Sequence, residues 1–364
     1  MPAWYPTASN PLYGPYVRDH TLAAASYGHR MVTVVDGGPR RDVRGLYSLT
    51  EEHDGALRIF RLSYRPSTAT FAFLPGVLAV ARRLKREGTP VNLLHAHVHW
   101  MGWVAIIAGA VLRRPVVITE HSTEWPDRKI TPRAVRRARI AFRRAALVCP
   151  VSLHLQGAIE SYGIRARFRV VPNTVNTEIF HPLDKPDVVA PTRLINVGLQ
   201  IERKGLDVLL RAFAKVAKER PELTLELLGD GPLTPELKRL AGELNLGESV
   251  RFAGAGTPAD IASALRAADV FVLSSLSETG PIVVLEALCC GLPVVTTQVG
   301  SAPEAVGSDG ALAPPGDVDE LAAAIQSVLD GFDRFDRAEI ARRGAARASF
   351  EAVGRLWDEI YRSL

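Results

Sequence analysis

Residues 268–298 read ADVFVLSSLSETGPIVVLEALCCGLPVVTTQ, and this stretch decides the fold. A near-continuous apolar run of strand length, residues 268–273, is followed by serine-rich turn chemistry, a helix and a second apolar strand. Such a unit belongs to a parallel sheet, with the connecting loop at the carboxyl edge of the sheet. The stretch therefore predicts an α/β fold with buried parallel strands.

The helix in this stretch is expected to begin near Gly280 and to offer an anion site. Pro281 suits the first helical position, where its missing N–H costs nothing, and Gly280 has no side chain to block a ligand. The amides of Gly280, Ile282 and Val283 are then donors at a positive helix end. This predicts a phosphate cradle that needs no lysine.

Two glutamates flank the cradle. Glu286 lies four residues beyond Ile282 on the same helical face, roughly 6 Å along the axis at about 1.5 Å per residue. That is about the distance between the diphosphate and the ribose hydroxyls of one nucleotide. Glu278 lies on the other side, where a sugar attached to the phosphates would be. We infer a site for a nucleotide diphosphate sugar.

Two cations precede this segment. Arg203 and Lys204 follow the predicted strand that carries Gly198, and they lie just before a helix that is expected to start at Gly205. Taken alone, the pair is better explained as a solvated helix start. Beside the two glutamates, we expect Arg203 and Lys204 to neutralise a diphosphate leaving group.

These residues resemble the donor site of glycosyltransferase family 4 (glycosyltransferase group 1), whose members are retaining enzymes with the GT-B fold. The spacing of Glu278 and Glu286 carries the likeness, together with EALCCGLPVV and GSAPEAV after it. Other matching segments follow the family's order and cover nearly the whole chain. They are VVPNTVNTEIF (170–180), INVGLQIERKGLDVLLRAF (195–213), LELLGDGP (225–232) and VRFAGA (250–255).

The resemblance implies two Rossmann-like domains facing across a deep cleft. It places an acceptor-binding domain at 1–175, a nucleotide-sugar-binding domain at 176–349, and a C-terminal helix at 350–364 that crosses back to the first domain. The chain's own pattern agrees, because apolar strands alternate with helices in both halves and residues 171–192 are rich in Pro, Asn and Asp. The strands are expected at 31–35, 92–95, 115–119, 147–151, 193–197, 223–228, 249–252, 270–273 and 293–296.

The activity implied is metal-independent hexosyl transfer with retention, from a nucleotide diphosphate sugar to a glycan or lipid-linked acceptor. Synthesis of cell-envelope material or exopolysaccharide is the expected setting, with no cofactor beyond the donor. A sugar-nucleotide epimerase or hydrolase of the same fold remains an alternative. A basic nucleic-acid-binding protein is another, although aromatic-rich binding motifs are lacking. The acidic triplet at 317–319 is interpreted as a helix N-cap rather than a metal site.

The resemblance also assigns roles to individual residues. His121 follows a strand, and the family's matching histidine lies against the donor sugar, although a lone histidine at a strand end is more often structural. The catalytic set is Glu278, His121, Arg203 and Lys204. The donor-binding set is Gly198, Arg203, Lys204, Phe252, Gly280, Pro281, Ile282, Val283 and Glu286, and the acceptor side is Gly14, Arg18 and His97.

Histidines alternate along one predicted strand. His95, His97 and His99 would share one face of a strand, and with His121 they have a spacing that zinc sites use. The family's matching segment binds no metal. We therefore expect no metal at these histidines.

Length and composition indicate the number of domains, the class of protein and its expected location. The 364 residues allow two domains, and 47% hydrophobic with 23% charged residues is a globular composition. No apolar stretch has the length of a membrane span, and the first residues do not form a signal peptide, which predicts a cytoplasmic protein. Cys149, Cys289 and Cys290 form no disulfide framework and have no metal-ligand spacing, and the adjacent pair, Cys289 and Cys290, is expected to pack in the core.

The beginning of the sequence departs from the family pattern. Family members have a buried strand ahead of the segment matched by residues 4–20, but only residues 1–3 precede it here. Either the true start lies upstream, or the first domain lacks its central strand. We expect the first, because losing a central strand would expose sheet edges and apolar surface.

A basic helix is predicted over residues 132–144. Its arginines recur at helical spacing opposite an apolar face. A solvated face is the ordinary explanation, while contact with an anionic membrane at the inner face is the alternative left open. The residues concerned are Arg133, Arg136, Arg137, Arg143 and Arg144.

Overall fold

The protein is represented by a computed structural model that describes residues 1, 5–6, 14–55, 57–183 and 190–364. It divides into two compact units. The first comprises Met1–Thr174 with Phe350–Leu364, and the second comprises Val175–Ser349. Parts of the predicted interdomain segment, 171–192, and of the matched segment, 4–20, lie outside the described residues.

The first unit contains three consecutive strands after its first helix, and helices and strands alternate from there on. They are α1 (Pro15–Ala25), β1 (Val32–Pro39), β2 (Tyr47–Asp54), β3 (Leu57–Tyr64), α2 (Ala69–Arg86), β4 (Leu94–His97), α3 (His99–Leu112), β5 (Val116–Glu120), α4 (Pro132–Arg144), β6 (Leu147–Pro150) and α5 (Leu153–Glu160).

The second unit repeats the alternation. Its elements are β7 (Arg193–Val197), α6 (Leu206–Glu219), β8 (Thr224–Leu228), α7 (Thr234–Glu243), β9 (Val250–Gly254), α8 (Pro258–Ala267), β10 (Val270–Leu273), α9 (Ile282–Cys289), β11 (Val294–Thr297), α10 (Ala302–Val306), β12 (Gly310–Ala313), α11 (Val318–Asp330) and α12 (Arg337–Ala348). The final helix, α13 (Phe350–Arg362), belongs to the first unit.

The described strands of the first unit form two three-stranded sheets, in the orders β1-β3-β2 and β4-β5-β6. The second sheet is parallel, as predicted. In the first sheet β2 runs antiparallel to β3, so the expectation of only parallel strands is wrong there. The two strands form a hairpin whose turn includes Gly55 at φ 57°. No strand among the described residues lies between β1 and β4.

The second unit has one six-stranded parallel sheet in the order β12-β11-β10-β7-β8-β9. The predicted strands of this half are all present within two residues, while β12 was not predicted. Val270, Phe271 and Val272 are fully buried, as expected for a parallel strand covered by helices on both faces. Because chain order reverses between β10 and β7, the carboxyl ends of these strands form a topological switch point.

Several local predictions are confirmed. Asp317 caps α11, because its Oδ1 accepts hydrogen bonds from the backbone N–H groups of Asp319 and Glu320, each at 3.0 Å. Cys289 and Cys290 are buried, and burial raises the pKa of each thiol to about 12. Among the described residues, no helix has both the length and the apolar character to cross a bilayer.

Candidate functional site

The loops that follow β7 and β10 are joined by hydrogen bonds at the switch point. The Leu276 amide donates to the Arg203 carbonyl at 2.8 Å, and the Ser274 hydroxyl donates to the Lys204 carbonyl at 2.9 Å. The strands themselves are neighbours in the sheet. These hydrogen bonds hold Arg203 and Lys204 next to the loop that contains Glu278.

Glycine is required where these loops come closest. Gly205 has φ +56°, and a Cβ there would lie 2.4 Å from the Ser274 carbonyl oxygen. Gly300 has φ +54°, and a Cβ there would lie 2.6 Å from the Thr279 carbonyl oxygen. Both conditions exclude a side chain, so the loop on either side of Glu278 is held by close backbone packing.

The Glu278 carboxylate is the centre of a polar cluster. Lys204 Nζ donates to its Oε1 at 2.6 Å, Ser275 Oγ donates to the same oxygen at 3.0 Å, and Arg203 Nη1 donates to Oε2 at 3.1 Å. Glu278 is only 7% exposed, whereas the Arg203 side chain is 34% exposed. The structure thus brings together three of the four residues expected to be catalytic. Both cations contact the carboxylate directly, which the sequence interpretation did not anticipate.

Beside this cluster, the loops after β7 and β8 pack backbone against backbone. Gly198 lies next to Lys204, since a Cβ on the glycine would be 3.5 Å from the lysine side chain. Gly229 has φ +143°, and a Cβ there would overlap the Gly198 carbonyl oxygen at 1.9 Å. Gly229 therefore cannot carry a side chain, whereas a Cβ at Gly198 would be in ordinary contact with the Lys204 side chain.

Helix α9 begins next to the Glu278 loop. It starts at Ile282, and Pro281 precedes it as the N-cap with φ −67° and ψ 104°, so the expected start near Gly280 is corrected. The amides of Ile282 and Val283 belong to the first turn, which has no intrahelical acceptors, and they lie at the positive end of the helix dipole. Glu286 is half-buried one turn further along.

Phe252 is the member of the donor-binding set that the structure places elsewhere. It lies on the edge strand β9, with β7 and β8 between it and β10. Its ring faces α7, where Lys238 Nζ lies 5.7 Å from the ring centroid. The described contacts of Phe252 do not connect it to the Glu278 cluster.

The first unit contains a separate cluster of histidines, of which His20, His97 and His121 are buried and His95 is half-buried. His97 Nδ1 and His121 Nε2 are hydrogen-bonded at 3.1 Å, and the His95 and His97 rings stack with centroids 4.6 Å apart. His20 of α1 lies 5.6 Å from His121, ring to ring. Burial lowers the pKa of all four imidazoles, that of His20 to about 4. They are therefore neutral at physiological pH.

His99 does not share a face with His95 and His97, which corrects the sequence prediction. Strand β4 ends at His97, Val98 adopts φ 66°, and His99 begins α3. A β-branched residue at positive φ is rare, and this one interrupts the alternation. Within the part of the chain that the structure describes, no group of three or more His, Cys, Asp or Glu side chains is arranged to hold a metal ion.

Glu120 is a site residue that the sequence reasoning missed. Its fully buried carboxylate accepts hydrogen bonds from the His99 amide (2.9 Å), His99 Nδ1 (3.2 Å), the His121 amide (2.9 Å) and the Ser122 amide (2.9 Å). Burial lowers the pKa of His99, but the hydrogen bond and charge of Glu120 outweigh it and leave that pKa raised. A charged residue at the end of an apolar strand was the available signal. Glu120 positions the loop that carries His121.

The two remaining residues of the expected acceptor side lie at α1. Gly14 is the N-cap of α1, with φ 71°, and its carbonyl accepts from the Val17 amide at 3.1 Å. Arg18 donates from Nε and Nη2 to the two carboxylate oxygens of Asp54, the second bond at 2.9 Å. The charge of Arg18 is thus engaged with β2 rather than with the histidine cluster.

Helix α4 has the two faces that its sequence predicts. Ala138, Ala141 and Phe142 are buried, and the amide of Ala134 donates to the Thr131 side chain at the N-cap. The five arginines of the basic face are all exposed, and none forms an ion pair with a described residue. They are Arg133, Arg136, Arg137, Arg143 and Arg144.

Comparison with known proteins now decides the family. The family model described as Glycosyltransferase Family 4 matches residues 14–179, and that described as Glycosyl transferases group 1 matches residues 191–331. A mannosyltransferase of Mycolicibacterium smegmatis, named GDP-mannose-dependent alpha-(1-6)-phosphatidylinositol monomannoside mannosyltransferase, is 32% identical over 286 residues, covering 69% of this chain and 71% of its own. The chain is a family 4 glycosyltransferase. A D-inositol 3-phosphate glycosyltransferase of Corynebacterium jeikeium is 29% identical over 82% of this glycosyltransferase and 77% of its own length.

Solved structures agree with the fold of this glycosyltransferase. Sucrose-phosphate synthase from Thermosynechococcus elongatus superposes with a TM-score of 0.73 at 25% identity, covering 96% of this chain and 92% of its own. Anabaena HepE in complex with UDP gives 0.77 at 23% identity, covering 96% and 97%. The predicted α/β, GT-B architecture with two Rossmann-like domains is confirmed.

Proposed function

We propose that this glycosyltransferase moves a sugar, with retention and without a metal, from a nucleotide diphosphate sugar to a glycan or lipid-linked acceptor. The observation that supports this best is the cluster of Glu278, Lys204 and Arg203. It lies at the switch point of the second unit's sheet, and ligands of open α/β sheets bind at such points. The start of α9 follows Glu278 in the same loop.

The chemistry of the cluster suits a diphosphate. When the bond between sugar and phosphate breaks, negative charge grows on the leaving diphosphate, and donors aimed at it stabilise the transition state. Lys204 and Arg203 supply two cationic donors, and the first amides of α9 supply neutral ones. These groups can neutralise the leaving group, which is why we propose that no metal is required.

Glu278 has a second role in this proposal. In the structure its carboxylate neutralises both cations. An arriving diphosphate offers the same donors another anion, so donor binding exchanges one ion pair for another. The carboxylate keeps Ser275 as a donor and gains capacity to accept from hydroxyls of the transferred sugar. Glu278 therefore couples recognition of the sugar to binding of the phosphates.

Names of relatives support the proposed donor and acceptor classes. The Mycolicibacterium protein is named GDP-mannose-dependent, and HepE has been crystallised with UDP-glucose. The same Mycolicibacterium name and the Corynebacterium name specify acceptors that contain inositol. We propose a hydroxyl-rich acceptor of this kind, glycan or lipid-linked, used in making cell-envelope material or exopolysaccharide.

We assign the acceptor side to the histidine cluster of the first unit. His121 and His97 are buried and hydrogen-bonded to each other, and burial keeps the pKa of both low. A neutral imidazole donates a hydrogen bond from one ring nitrogen and accepts one at the other, so a neutral pair can bind acceptor hydroxyls without adding a charge. In this proposal the histidines orient hydroxyls, and the leaving phosphate oxygen takes the proton of the acceptor.

The donor is identified by thermal shift with UDP, GDP, ADP and their sugars. We expect one base to raise Tm by about 5–10 °C at 100 times its Kd, since binding then stabilises by about 2.7 kcal/mol. NMR of the product formed with an inositol-containing acceptor should show the anomeric configuration of the donor, and EDTA should not slow its formation.

Other outcomes decide against parts of this proposal. Donor consumption without a glycosylated product would indicate the epimerase or hydrolase alternative. An inverted anomeric configuration contradicts retention. Activity that EDTA abolishes and manganese restores contradicts metal independence.

We also propose that the arginine face of α4 contacts an anionic membrane surface. Near such a surface each arginine contributes about 1 kcal/mol, and salt weakens the attraction. The protein should sediment with phosphatidylserine vesicles at 50 mM salt and be released at 500 mM. Changing Arg133, Arg136 and Arg137 to glutamine should reduce the bound fraction at least fivefold.

A matched control variant distinguishes an effect of the arginine face of α4 from an effect of the protein's total charge. Arg239, Arg251 and Arg342 are exposed arginines of the second unit, and changing all three to glutamine removes the same charge. That variant should bind vesicles like the unchanged protein. Equal losses in the two variants, or no binding at low salt, would rule out a membrane-contacting face.

A further inference from the structure

The final helix, α13, contacts the histidine cluster of the first unit with two aromatic side chains. Trp357 Nε1 donates to His20 Nδ1 at 3.1 Å, and the Tyr361 hydroxyl is hydrogen-bonded to His95 Nδ1 at 2.7 Å. The two aromatic residues are four positions apart, on one helical face, and their rings stack with centroids 5.6 Å apart. The proposed function gives neither of them a role.

The hydrogen bond from Trp357 fixes the tautomer of His20. An indole nitrogen can only donate, so His20 Nδ1 must accept and carries no proton. His20 is 2% exposed, and burial lowers the pKa of its imidazole to about 4. The ring is therefore neutral at physiological pH, and its single proton lies on Nε2.

His20 contacts both Trp357 and His121. Its ring centroid lies 5.7 Å from that of Trp357 and 5.6 Å from that of His121, and both pairs meet edge to face, at 71° and 66°. Edge-to-face contacts at such distances depend on the orientation of both rings. A change in the orientation of the His20 ring therefore changes its contact with His121.

A second set of contacts connects Tyr361 with His121. His95 is hydrogen-bonded to Tyr361 through Nδ1 and to Thr119 Oγ1 through Nε2, the latter at 2.6 Å. The His95 ring stacks on His97 with centroids 4.6 Å apart, and His97 Nδ1 is hydrogen-bonded to His121 Nε2. Both aromatic residues of α13 are thus connected to His121 through other histidines.

The two connections differ in what they determine. Tyr361 and Thr119 contact His95 through hydroxyl groups, which can donate or accept, so they are compatible with either tautomer of His95. Trp357 can only donate, so it permits one tautomer of His20. Packing against His20 would need only an aromatic ring at position 357. The indole N–H adds control of the His20 tautomer.

We propose that Trp357 is a positioning residue for His121. Its indole N–H holds the His20 ring in one tautomer and one orientation, and the His20 ring in turn holds His121 where it meets the acceptor. This inference rests on the proposed function, which assigns His121 to the acceptor side. It gives the final helix a role in acceptor binding.

Trp357→Phe removes the N–H and keeps an aromatic ring. Nitrogen-15 NMR, which distinguishes protonated from unprotonated ring nitrogens, should show the His20 proton on Nε2 alone in the unchanged protein and a mixture of tautomers in the variant. With phosphatidylinositol as the acceptor, the acceptor KM should rise about 10-fold, while the donor KM stays within twofold. A His20 proton on Nδ1 in the unchanged protein, or an unchanged acceptor KM in the variant, would overturn the proposal.

Trp125→Phe is the matched control. Trp125 is a fully buried tryptophan of the same unit, four residues beyond His121, and its Nε1 has no hydrogen-bond partner among the described residues. This variant makes the same change in ring size without removing a hydrogen bond. It should leave the His20 tautomer unchanged and the acceptor KM within twofold. Equal increases in acceptor KM in both variants would assign the effect to packing and contradict a role of the N–H.

A double variant tests whether Trp357 acts through His20. His20→Asn keeps an oxygen acceptor near the position of Nδ1 but removes the ring that contacts His121. Adding Trp357→Phe to His20→Asn should not raise the acceptor KM further, whereas multiplied effects of the two changes would contradict the proposal. Product formation with equal acceptor KM in the unchanged protein and Trp357→Phe contradicts the positioning role alone. If the unchanged protein forms no glycosylated product, the proposed acceptor class is wrong and the positioning role is wrong with it.

Discussion

Replacing Lys204 with methionine is expected to lower kcat/KM for the nucleotide-sugar donor by about 10²–10³-fold. Methionine keeps the length of the side chain but removes the donor that lies 2.6 Å from Glu278 in the free protein. In our proposal the same ammonium faces the leaving diphosphate, where it acts most strongly in the transition state. Steady-state kinetics with the donor identified by thermal shift measures the effect.

Lys215→Met is the matched control for this variant. Lys215 is an exposed lysine of α6 that pairs with Asp319, so its replacement removes the same charge from the same unit. Its kcat/KM should stay within twofold of the unchanged protein. If Lys204→Met does the same while the protein still turns over donor, Lys204 does not serve the leaving group.

Glu120→Gln should have the second-largest effect. The carboxylate accepts from three backbone amides and from His99 Nδ1. A glutamine NH₂ must face at least one of these donors, which leaves buried N–H groups unpaired at about 1–3 kcal/mol each. We expect the free energy of unfolding to fall by about 2–4 kcal/mol, measured by urea denaturation. Displacement of the His121 loop should also reduce kcat/KM about 10–100-fold.

The control for this variant is Glu124→Gln. The Glu124 side chain is 47% exposed and lies 3.9 Å from His99 Nε2, so its loss should leave stability and kcat/KM nearly unchanged. NMR titration of His99 adds a second measurement, because the pKa of its imidazole depends on the contact with Glu120. The pKa of His99, which Glu120 raises, should fall in Glu120→Gln. If Glu120→Gln is destabilised but keeps full kcat/KM in its folded fraction, Glu120 supports the fold and not the reaction.

The strand, loop and helix around Glu278 could be predicted from the sequence because their signals are local. The run at 270–273 is wholly apolar, serines end it, and Gly280-Pro281 stands before the helix. Each of these residue types restricts the backbone in a known way. The contact of Glu278 with Arg203 and Lys204 could not be predicted. The order of the strands in the sheet, rather than spacing along the sequence, brings the loops after β7 and β10 together.

The hairpin β2–β3 was missed although a signal was present. Asp54-Gly55 is a turn dipeptide typical of hairpins, and it separates residues 47–54 from residues 57–64. The first strand is polar and partly exposed, so it lacks the continuous apolar run that identified the other strands. A search for turn dipeptides would have found it where a search for apolar runs did not.

The error at His99 has a similar cause. The prediction assumed that the strand, with side chains alternating between its two faces, continued through Val98. The backbone instead leaves the strand at Val98, where φ is 66°. Val is among the residues least suited to positive φ, so the sequence did not indicate that the strand ends before His99. The buried carboxylate of Glu120 holds the next residue by its amide. A contact between distant positions thus overrides the local preference of Val98.

Calorimetric titration tests the central claim most directly, namely that the Glu278, Lys204 and Arg203 cluster holds the diphosphate of the donor. The nucleoside diphosphate of the preferred base is titrated into the unchanged protein and into Lys204→Met, with the nucleoside alone as a phosphate-free ligand. The account predicts about 10–100-fold weaker diphosphate binding in the variant, from loss of one charge-assisted hydrogen bond, and unchanged nucleoside binding. Equal diphosphate affinity in both proteins, or no diphosphate binding to the unchanged protein, would contradict it.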